Sequence, residues 1–185
     1  MRIDVFGPSG VGKSTIIKQC NYLPKKYPIS KKQIILRLSE GNRYLLNHFW
    51  NLCGDPVMRM FEAEHVMQTI YLTLSQESKA IIDESLLHKA ISYDCAISKT
   101  DLPDAFIYIY ADADVIYDRI INRTKVALNH VGCDSKLLKL KINENIKRTN
   151  TAFEYLNSSI NGLKIDATKP IQNNVKLINS WVCTL

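Results

Sequence analysis

Short apolar segments alternate with longer helical segments along the whole 185-residue chain. The short segments are rich in Ile, Val, Leu or Tyr, and they predict β-strands at residues 2–6, 33–38, 79–83, 105–110 and 163–166. Strands that alternate with helices are typical of α/β proteins, in which parallel strands lie between two layers of helices. We therefore expect a three-layer α/β fold with a five-stranded parallel sheet.

Two long helices are predicted. Pro56 suits the first turn of a helix over residues 56–74, and apolar residues recur mostly every three or four positions over residues 135–156. Residues 124–134 are polar and contain a glycine, so we expect them to form a mobile loop or short lid. No repeat or Pro/Gly-rich linker divides the sequence, which favours a single domain over residues 1–185.

Composition narrows the functional classes. Hydrophobic residues make up 46% of the chain and charged residues 23%, and no apolar run reaches the roughly 18 residues that a membrane span needs. The N-terminal sequence MRIDVFGPSG leaves no room for a cleavable signal, so a cytoplasmic protein is expected. The five cysteines are widely spaced without a CxxC pair, which favours free thiols over a zinc site or disulfides.

The net charge of +6 suits either a nucleic acid or small anionic substrates. Because the lysines are spread along the chain and are not interleaved with aromatic residues, we expect small anionic substrates, with no nucleic-acid or membrane partner. An apolar stripe along residues 57–71 suits the core, and it equally suits the contact surface of a homodimer.

Residues 7–15 read Gly-Pro-Ser-Gly-Val-Gly-Lys-Ser-Thr and match the phosphate-binding pattern GxxxxGK[ST], between the first strand and a helix predicted at residues 15–20. The glycines permit positive φ, so consecutive N–H groups can surround a phosphate at the start of the helix. Lys13 would reach the β- and γ-phosphates of ATP, and Ser14 would bind Mg²⁺. The residues expected at the ATP phosphates are Gly7, Ser9, Gly10, Val11, Gly12, Lys13, Ser14 and Thr15.

Asp83 and Glu84 follow a predicted buried strand, at the sheet edge where the phosphate loop is expected. One acid could hold Mg²⁺ through water, and the other could orient an attacking hydroxyl or accept its proton. Asp83 is the stronger candidate for either role because it ends the strand directly. The alternative is that both acids only favour the start of a helix at residues 85–91.

Arg119 and Arg123 are four residues apart, so a helix would place them on one face. From there they could neutralise the charge that develops on a transferring phosphoryl group. The alternative is a solvated helix face on which they pair with acids such as Asp118.

These motifs resemble those of the P-loop nucleoside and nucleotide kinases, in particular the thymidylate kinase and deoxynucleoside kinase group. The resemblance implies the P-loop NTPase fold, with Arg119 and Arg123 acting on the phosphates from a lid helix. It also implies that the adenine lies against the segment after the last strand, and that acceptor groups come from earlier parts of the chain. The adenine-side residues are Ala167, Thr168, Lys169 and Pro170, and the acceptor-side residues are Arg37, Glu40 and His65, to which Gln68 adds a side chain able to read a base edge.

Ser39, His65 and the Asp-Glu-Ser sequence at 83–85 depart from the proline, arginine and Asp-Arg of that group. Without a bidentate arginine, binding of a phosphorylated acceptor is weaker, so a sugar or other small metabolite stays open as the acceptor. An ATPase or nucleotide-switched interaction protein, with Glu84 activating water, is a second alternative. We expect an ATP-dependent phosphotransferase whose favoured acceptor is a nucleoside or nucleotide.

Overall fold

A computed structural model describes residues 1–21, 80–83, 91, 102–123 and 133–185. In these parts the chain forms four strands, and all pair in parallel in the order β2-β1-β3-β4. Their bounds are β1 Arg2–Phe6, β2 Ala80–Asp83, β3 Ala105–Tyr110 and β4 Asn161–Asp166. The expected α/β class with a parallel sheet is confirmed. The predicted strand at 33–38, the predicted helix at 56–74 with its apolar stripe, and nearly all of the helix predicted at 85–91 lie outside the described residues.

Four helices lie in the described parts of the chain, and the first and the third correspond to the helices predicted at 15–20 and 135–156. Their bounds are α1 Lys13–Ile17, α2 Ala113–Ile121, α3 Ser135–Asn157 and α4 Ile171–Thr184. The α1 helix begins two residues before the predicted 15, because Gly12 in a left-handed conformation serves as its N-cap. It ends at Ile17, since the N–H groups of Gln19 and Cys20 bond to carbonyls three residues back, in tighter turns.

Asp134 forms the N-cap of α3, and its side chain accepts a hydrogen bond from the N–H of Leu137 at 2.7 Å. This cap fixes the start of the helix at the end of the segment expected to form a lid, of which residues 124–132 lie outside the described residues. Within the part of the chain that the structure describes, no helix combines the length and the apolar character needed to cross a bilayer.

The sheet carries an apolar cluster on each face. On one side Ile107 and Ile109 of β3 join a large cluster to which α1, α2, α4 and the first part of α3 contribute. On the other side Phe106 and Tyr108 pack with Phe6 and with the second part of α3. The strand β1 is buried along its whole length and β3 along all but its last residue, whereas β4, at the edge of the described sheet, is partly exposed; the centre of the sheet is thus covered on both faces, as expected. The central strand β1 has β2 on one side and β3 on the other, and its carboxyl end leads into residues 7–12.

Candidate phosphate-binding site

Residues 7–12 connect β1 to α1 at the carboxyl edge of the sheet, where open parallel sheets bind their ligands. All three glycines of the segment have positive φ, with values of 154°, 91° and 101° at Gly7, Gly10 and Gly12. Gly7 shows why the position needs glycine, because a Cβ atom there would lie 2.0 Å from the carbonyl oxygen of Ile109 on β3. The loop therefore has the conformation and the close backbone approach that the sequence pattern indicated.

The backbone N–H groups of this loop divide into two sets. The N–H of Ser9 donates to Oδ1 of Asn145 on α3 at 2.7 Å, and the N–H of Val11 donates to the carbonyl oxygen of Pro8 at 3.2 Å. The N–H groups of Gly10 and Gly12 have no acceptor among the residues that the structure describes. Since such groups are normally satisfied in a folded protein, they are the donors that this loop offers to an anion. Between Ser9 and Gly12 the offered donors thus alternate, whereas the sequence suggested consecutive ones.

Lys13 lies in the first turn of α1 and is only 6% exposed. Its ammonium group donates to the carbonyl oxygens of Gly7 at 3.0 Å and of Pro8 at 3.2 Å, so its charge lies directly beside the loop. A buried ammonium on the same loop as N–H groups without acceptors contributes a positive potential that favours a polyphosphate. Ser14 and Thr15, which follow on α1, are exposed and accessible at the same end of the helix.

Asp83 ends β2, and its Cα pairs with that of Val5, two residues before the phosphate loop. The backbone of Asp83 therefore lies at the same edge of the sheet as the loop, because the carboxyl ends of parallel strands share one edge. Glu84 lies outside the described residues. No group of three or more His, Cys, Asp or Glu side chains that could hold a metal ion occurs among the residues described.

Arg119 joins two loops at this edge. Its Nη1 donates to the carbonyl oxygen of Val11 at 2.6 Å, and its Nη2 donates to the carbonyl oxygen of Ala167 at 2.7 Å. The guanidinium group thus connects the phosphate loop to the turn after β4, where the adenine is expected. Action on a transferring phosphoryl group would require the side chain to leave at least one of these carbonyls. Arg123 lies two residues beyond the end of α2 and is exposed.

The turn after β4 is held by Asp166. The hydroxyl and the N–H of Thr168 both donate to Oδ1 of Asp166, at 2.6 and 2.9 Å. These two bonds lower the pKa of the Asp166 carboxyl from its ordinary value; burial opposes them, and the charges of Lys169 and Arg119 add a lesser lowering. The turn consequently has a fixed shape while the side chain of Thr168 stays exposed.

Two further bonds attach this turn to the sheet and to α4. The N–H of Ala167 donates to the carbonyl oxygen of Tyr110 at 2.9 Å, and Nδ2 of the buried Asn174 donates to the carbonyl oxygen of Asp166 at 2.8 Å. Lys169 is exposed and Pro170 is the N-cap of α4, so the four residues expected at the adenine form one turn at the loop edge of the sheet. The acceptor-side residues Arg37, Glu40, His65 and Gln68 lie outside the described residues.

The sequence analysis did not predict that Asn145 and Asn174 hold the loops of this site. Each is an amide on a helix whose pattern otherwise reads as an alternation of core and solvent positions. Asn174 lies among apolar neighbours in the sequence and is buried in the structure. Because a buried amide requires hydrogen-bond partners, those neighbours are a weak indication that Asn174 has a structural contact. For Asn145 the adjacent Ile146 and Ile142, which pack into the core, indicate only that the position lies near the buried stripe.

The sequence matches no protein-family model, and it has no significant match among curated proteins. The structure, however, is similar to solved kinases. Deoxyadenosine kinase from M. mycoides with the products dCMP and a flexible dCDP bound has a TM-score of 0.64 and 17% identity over 100% of both chains. With bound dATP, the same kinase has a TM-score of 0.52 and 19% identity over 98% of this chain and 99% of that chain.

Shikimate kinase from Bacteroides thetaiotaomicron is also similar, with a TM-score of 0.54 and 13% identity over 98% of both chains. At these identities the similarity concerns the fold, and it covers nearly the whole chain. The resemblance to P-loop kinases that the sequence motifs suggested is therefore confirmed at the level of the fold. These neighbours act on different acceptors, so the fold itself is compatible with more than one substrate class.

Proposed function

We propose that this protein is an ATP-dependent phosphotransferase that moves the γ-phosphoryl group of Mg·ATP to a small acceptor, and that the acceptor is a nucleoside or nucleotide. The observation that carries the proposal is the phosphate loop: the buried ammonium of Lys13 contacts the loop at its first two carbonyls, and the N–H groups of Gly10 and Gly12 in the same loop have no acceptor among the described residues. The fold shared with nucleoside and shikimate kinases supports the same class of reaction.

The donor nucleotide is expected to extend from this loop to the turn after β4. Its phosphates would be bound at the loop and its adenine at residues 167–170, and Arg119 already connects these two parts through Val11 and Ala167. Because the two binding loops are already held at a fixed distance, the protein loses less conformational freedom when the nucleotide binds. This arrangement supports a nucleoside triphosphate, rather than an isolated phosphate group, as the ligand.

The residues present suit a magnesium ion. Ser14 is exposed at the start of α1, and the backbone of Asp83 ends the strand that pairs with β1 just before the phosphate loop, so a residue with a hydroxyl and one with a carboxyl group occur at the same edge of the sheet. Hard oxygen ligands of this kind, supplemented by water and phosphate, are what Mg²⁺ prefers. When bound, the ion would neutralise charge on the β- and γ-phosphates.

In the proposed reaction an oxygen of the acceptor attacks the γ-phosphorus, and the bond from that phosphorus to the bridging oxygen of ADP breaks. One of the two acids, Asp83 or Glu84, would orient the acceptor hydroxyl and take its proton while the other holds the Mg²⁺ ion through water, and Lys13 would stabilise the charge on the transferred group. ADP leaves with the bridging oxygen. Arg119 and Arg123 would add positive charge at the same group once they are brought onto it.

A small metabolite other than a nucleoside is the second candidate acceptor. It is favoured by the full-length fold similarity to shikimate kinase, together with the departures from the nucleotide-kinase pattern at Ser39 and His65. The two candidates differ in the acceptor and share the donor site.

The test is an acceptor panel with Mg·ATP and the full-length protein, with ADP and phosphorylated product measured by chromatography. We expect ADP to form only with an acceptor present and to appear in equal amount with a phosphorylated nucleoside or nucleotide. Phosphorylation of shikimate or a sugar alone would favour the second candidate. ADP formed at the same rate without any acceptor would indicate an ATPase and would contradict the proposal.

The matched variants are Lys13→Ala and Lys18→Ala, both on or next to α1. Loss of the Lys13 ammonium should lower kcat by at least about 100-fold, the usual cost of removing a charge that stabilises a transition state. Lys18 is exposed at the end of the same helix, so its removal should leave turnover within about twofold. Full activity of Lys13→Ala would mean that the loop does not bind the transferred phosphate.

A further inference from the structure

Asn145 connects the middle of α3 to the phosphate loop across 136 positions of sequence. Its Oδ1 accepts the backbone N–H of Ser9 at 2.7 Å. Because a backbone N–H can only donate, the oxygen of the amide must face the loop. Both residues are half-buried, so the bond is partly shielded from competing water.

The helix that carries Asn145 is firmly held. Leu138 and Ile142, within two turns of it, are buried in the core, and the hydroxyl of Thr149 donates to the carbonyl oxygen of Asn145 at 3.0 Å. A side chain on a packed helix has a defined position and can therefore impose one on a glycine-rich loop. The loop itself has three residues with positive φ and few side chains to fix it.

We propose that Asn145 is a positioning residue for the polyphosphate site. By taking up the N–H of Ser9, it holds the loop in the conformation in which the N–H groups of Gly10 and Gly12 are left for the anion. The inference rests on the proposed function, in which that anion is the polyphosphate of Mg·ATP. Its physical basis is preorganisation: a loop that is already ordered loses less conformational entropy when the nucleotide binds.

The absence of charge on the Asn145 amide also suits a site for a polyanion. A carboxylate at position 145 would accept the same hydrogen bond from Ser9, but it would place a negative charge next to a site for a polyanion. An asparagine provides the acceptor without that repulsion. Position and charge can therefore be tested separately, with alanine removing the acceptor and aspartate retaining it.

The experiment measures binding of Mg·ATP and of magnesium tripolyphosphate to the full-length protein by titration calorimetry. Asn145→Ala should lower the affinity for both ligands by a similar factor of about three- to tenfold, the range expected for loss of one neutral hydrogen bond. The matched control is Asn143→Ala, an exposed position two residues away on the same helix, which should stay within about twofold of the wild type.

The charge is tested with Asn145→Asp and Asn143→Asp. Asn145→Asp should weaken the binding of tripolyphosphate more than Asn143→Asp does. The difference in affinity should shrink as the salt concentration is raised, because salt screens the repulsion. In turnover assays Asn145→Ala should raise the KM for ATP while the KM for the acceptor stays unchanged. A residue that only stabilises the fold would shift the thermal midpoint without this pattern.

Wild-type affinity of Asn145→Ala for both ligands, at any thermal midpoint, would overturn the inference. A protein that binds Mg·ATP but transfers phosphate to no acceptor would contradict the proposed function, and the comparison of Asn145 with Asn143 would still decide the positioning role. A wild-type protein that binds neither ligand would contradict both.

Discussion

Gly162 on β4 lies directly against the ring of Phe106 on β3: a Cβ atom at position 162 would be 2.2 Å from Cζ of the ring. The two residues are paired across the parallel strands. The ring is fully buried and contacts Phe6 and Phe153, with centroid separations of 5.7 and 6.0 Å. The absence of a side chain at position 162 thus makes the space that the aromatic cluster occupies on this face of the sheet.

Gly162→Ala should lower the free energy of unfolding by about 1–3 kcal/mol, the usual cost of overpacking a core. Urea unfolding followed by circular dichroism measures the effect. Asn161→Ala, at the exposed neighbouring position, is the control and should change stability by less than about 0.5 kcal/mol. If the ring is the obstacle, alanine at position 162 will cost less in a Phe106→Leu background; an equal cost in both backgrounds would refute this explanation.

Arg2 and Asp4 form a buried ion pair on β1, with Nε of Arg2 donating to Oδ1 of Asp4 at 3.0 Å. Asp4→Ala would leave the guanidinium group buried without this partner, so it should destabilise the protein by about 3–5 kcal/mol. The exposed pair of Lys139 and Asp114, separated by 3.9 Å, provides the control, and Lys139→Ala should cost less than about 1 kcal/mol. Chemical unfolding compares the two, and equal losses would contradict the distinction between buried and exposed pairs.

Acid should weaken the turn after β4 through Asp166. Because its pKa is lower in the folded protein than the ordinary value of 3.8, its contribution to stability is fully present above that value and is lost as the pH falls through the lowered pKa. The stability difference between the wild type and Asp166→Asn should therefore be constant from pH 7 to about pH 5 and shrink at lower pH. Unfolding curves at each pH measure this difference.

Thr168→Val removes the hydroxyl hydrogen bond, which lowers the pKa of Asp166 more than the backbone N–H bond does. The acid-dependent part of the stability difference should then be reduced, because the folded and unfolded pKa values move closer together. An unchanged pH profile in Thr168→Val would show that this hydroxyl does not set the pKa of the carboxyl.

Cys20 should be the least reactive of the described cysteines. Burial raises the pKa of its thiol from 9.0 to about 11, which lowers its thiolate fraction at neutral pH by about 100-fold. Cys183 is exposed, so iodoacetamide should alkylate it first. Peptide mass spectrometry of the native and the urea-unfolded protein measures both sites, and rapid labelling of Cys20 in the native state would contradict its burial.

Arg119→Lys should raise the KM for ATP by about tenfold with little change in the KM for the acceptor. A lysine has one ammonium group in place of the planar fork that reaches both Val11 and Ala167, so the two donor-side loops would no longer be joined. Steady-state kinetics with each substrate varied separately measures the effect. The control is Arg148→Lys, on an exposed face of α3. A loss confined to kcat would instead indicate that Arg119 acts on the transferring group.

The strands show how much of the fold the local residue pattern predicts. Those predicted at 2–6 and 105–110 agree with the structure residue for residue, because β-branched and aromatic residues make up most of both segments and favour the strand conformation where they are buried. The strand predicted at 163–166 begins two residues earlier, at Asn161. Asparagine and glycine are disfavoured in strands, and their place here depends on pairing with Ala105 and Phe106.

The sequence by itself determined the backbone conformation of residues 7–12 and the alternation of strands and helices, and it predicts that a polyphosphate binds at the loop. These are local properties, since glycine spacing sets backbone conformation and periodicity sets which face is buried. The tertiary structure alone decided that Asn145 takes up the N–H of Ser9 and that Arg119 spans Val11 and Ala167. Partners of this kind are separated by 48 to 136 positions, so they are fixed by how distant helices pack against the sheet, which no local pattern encodes.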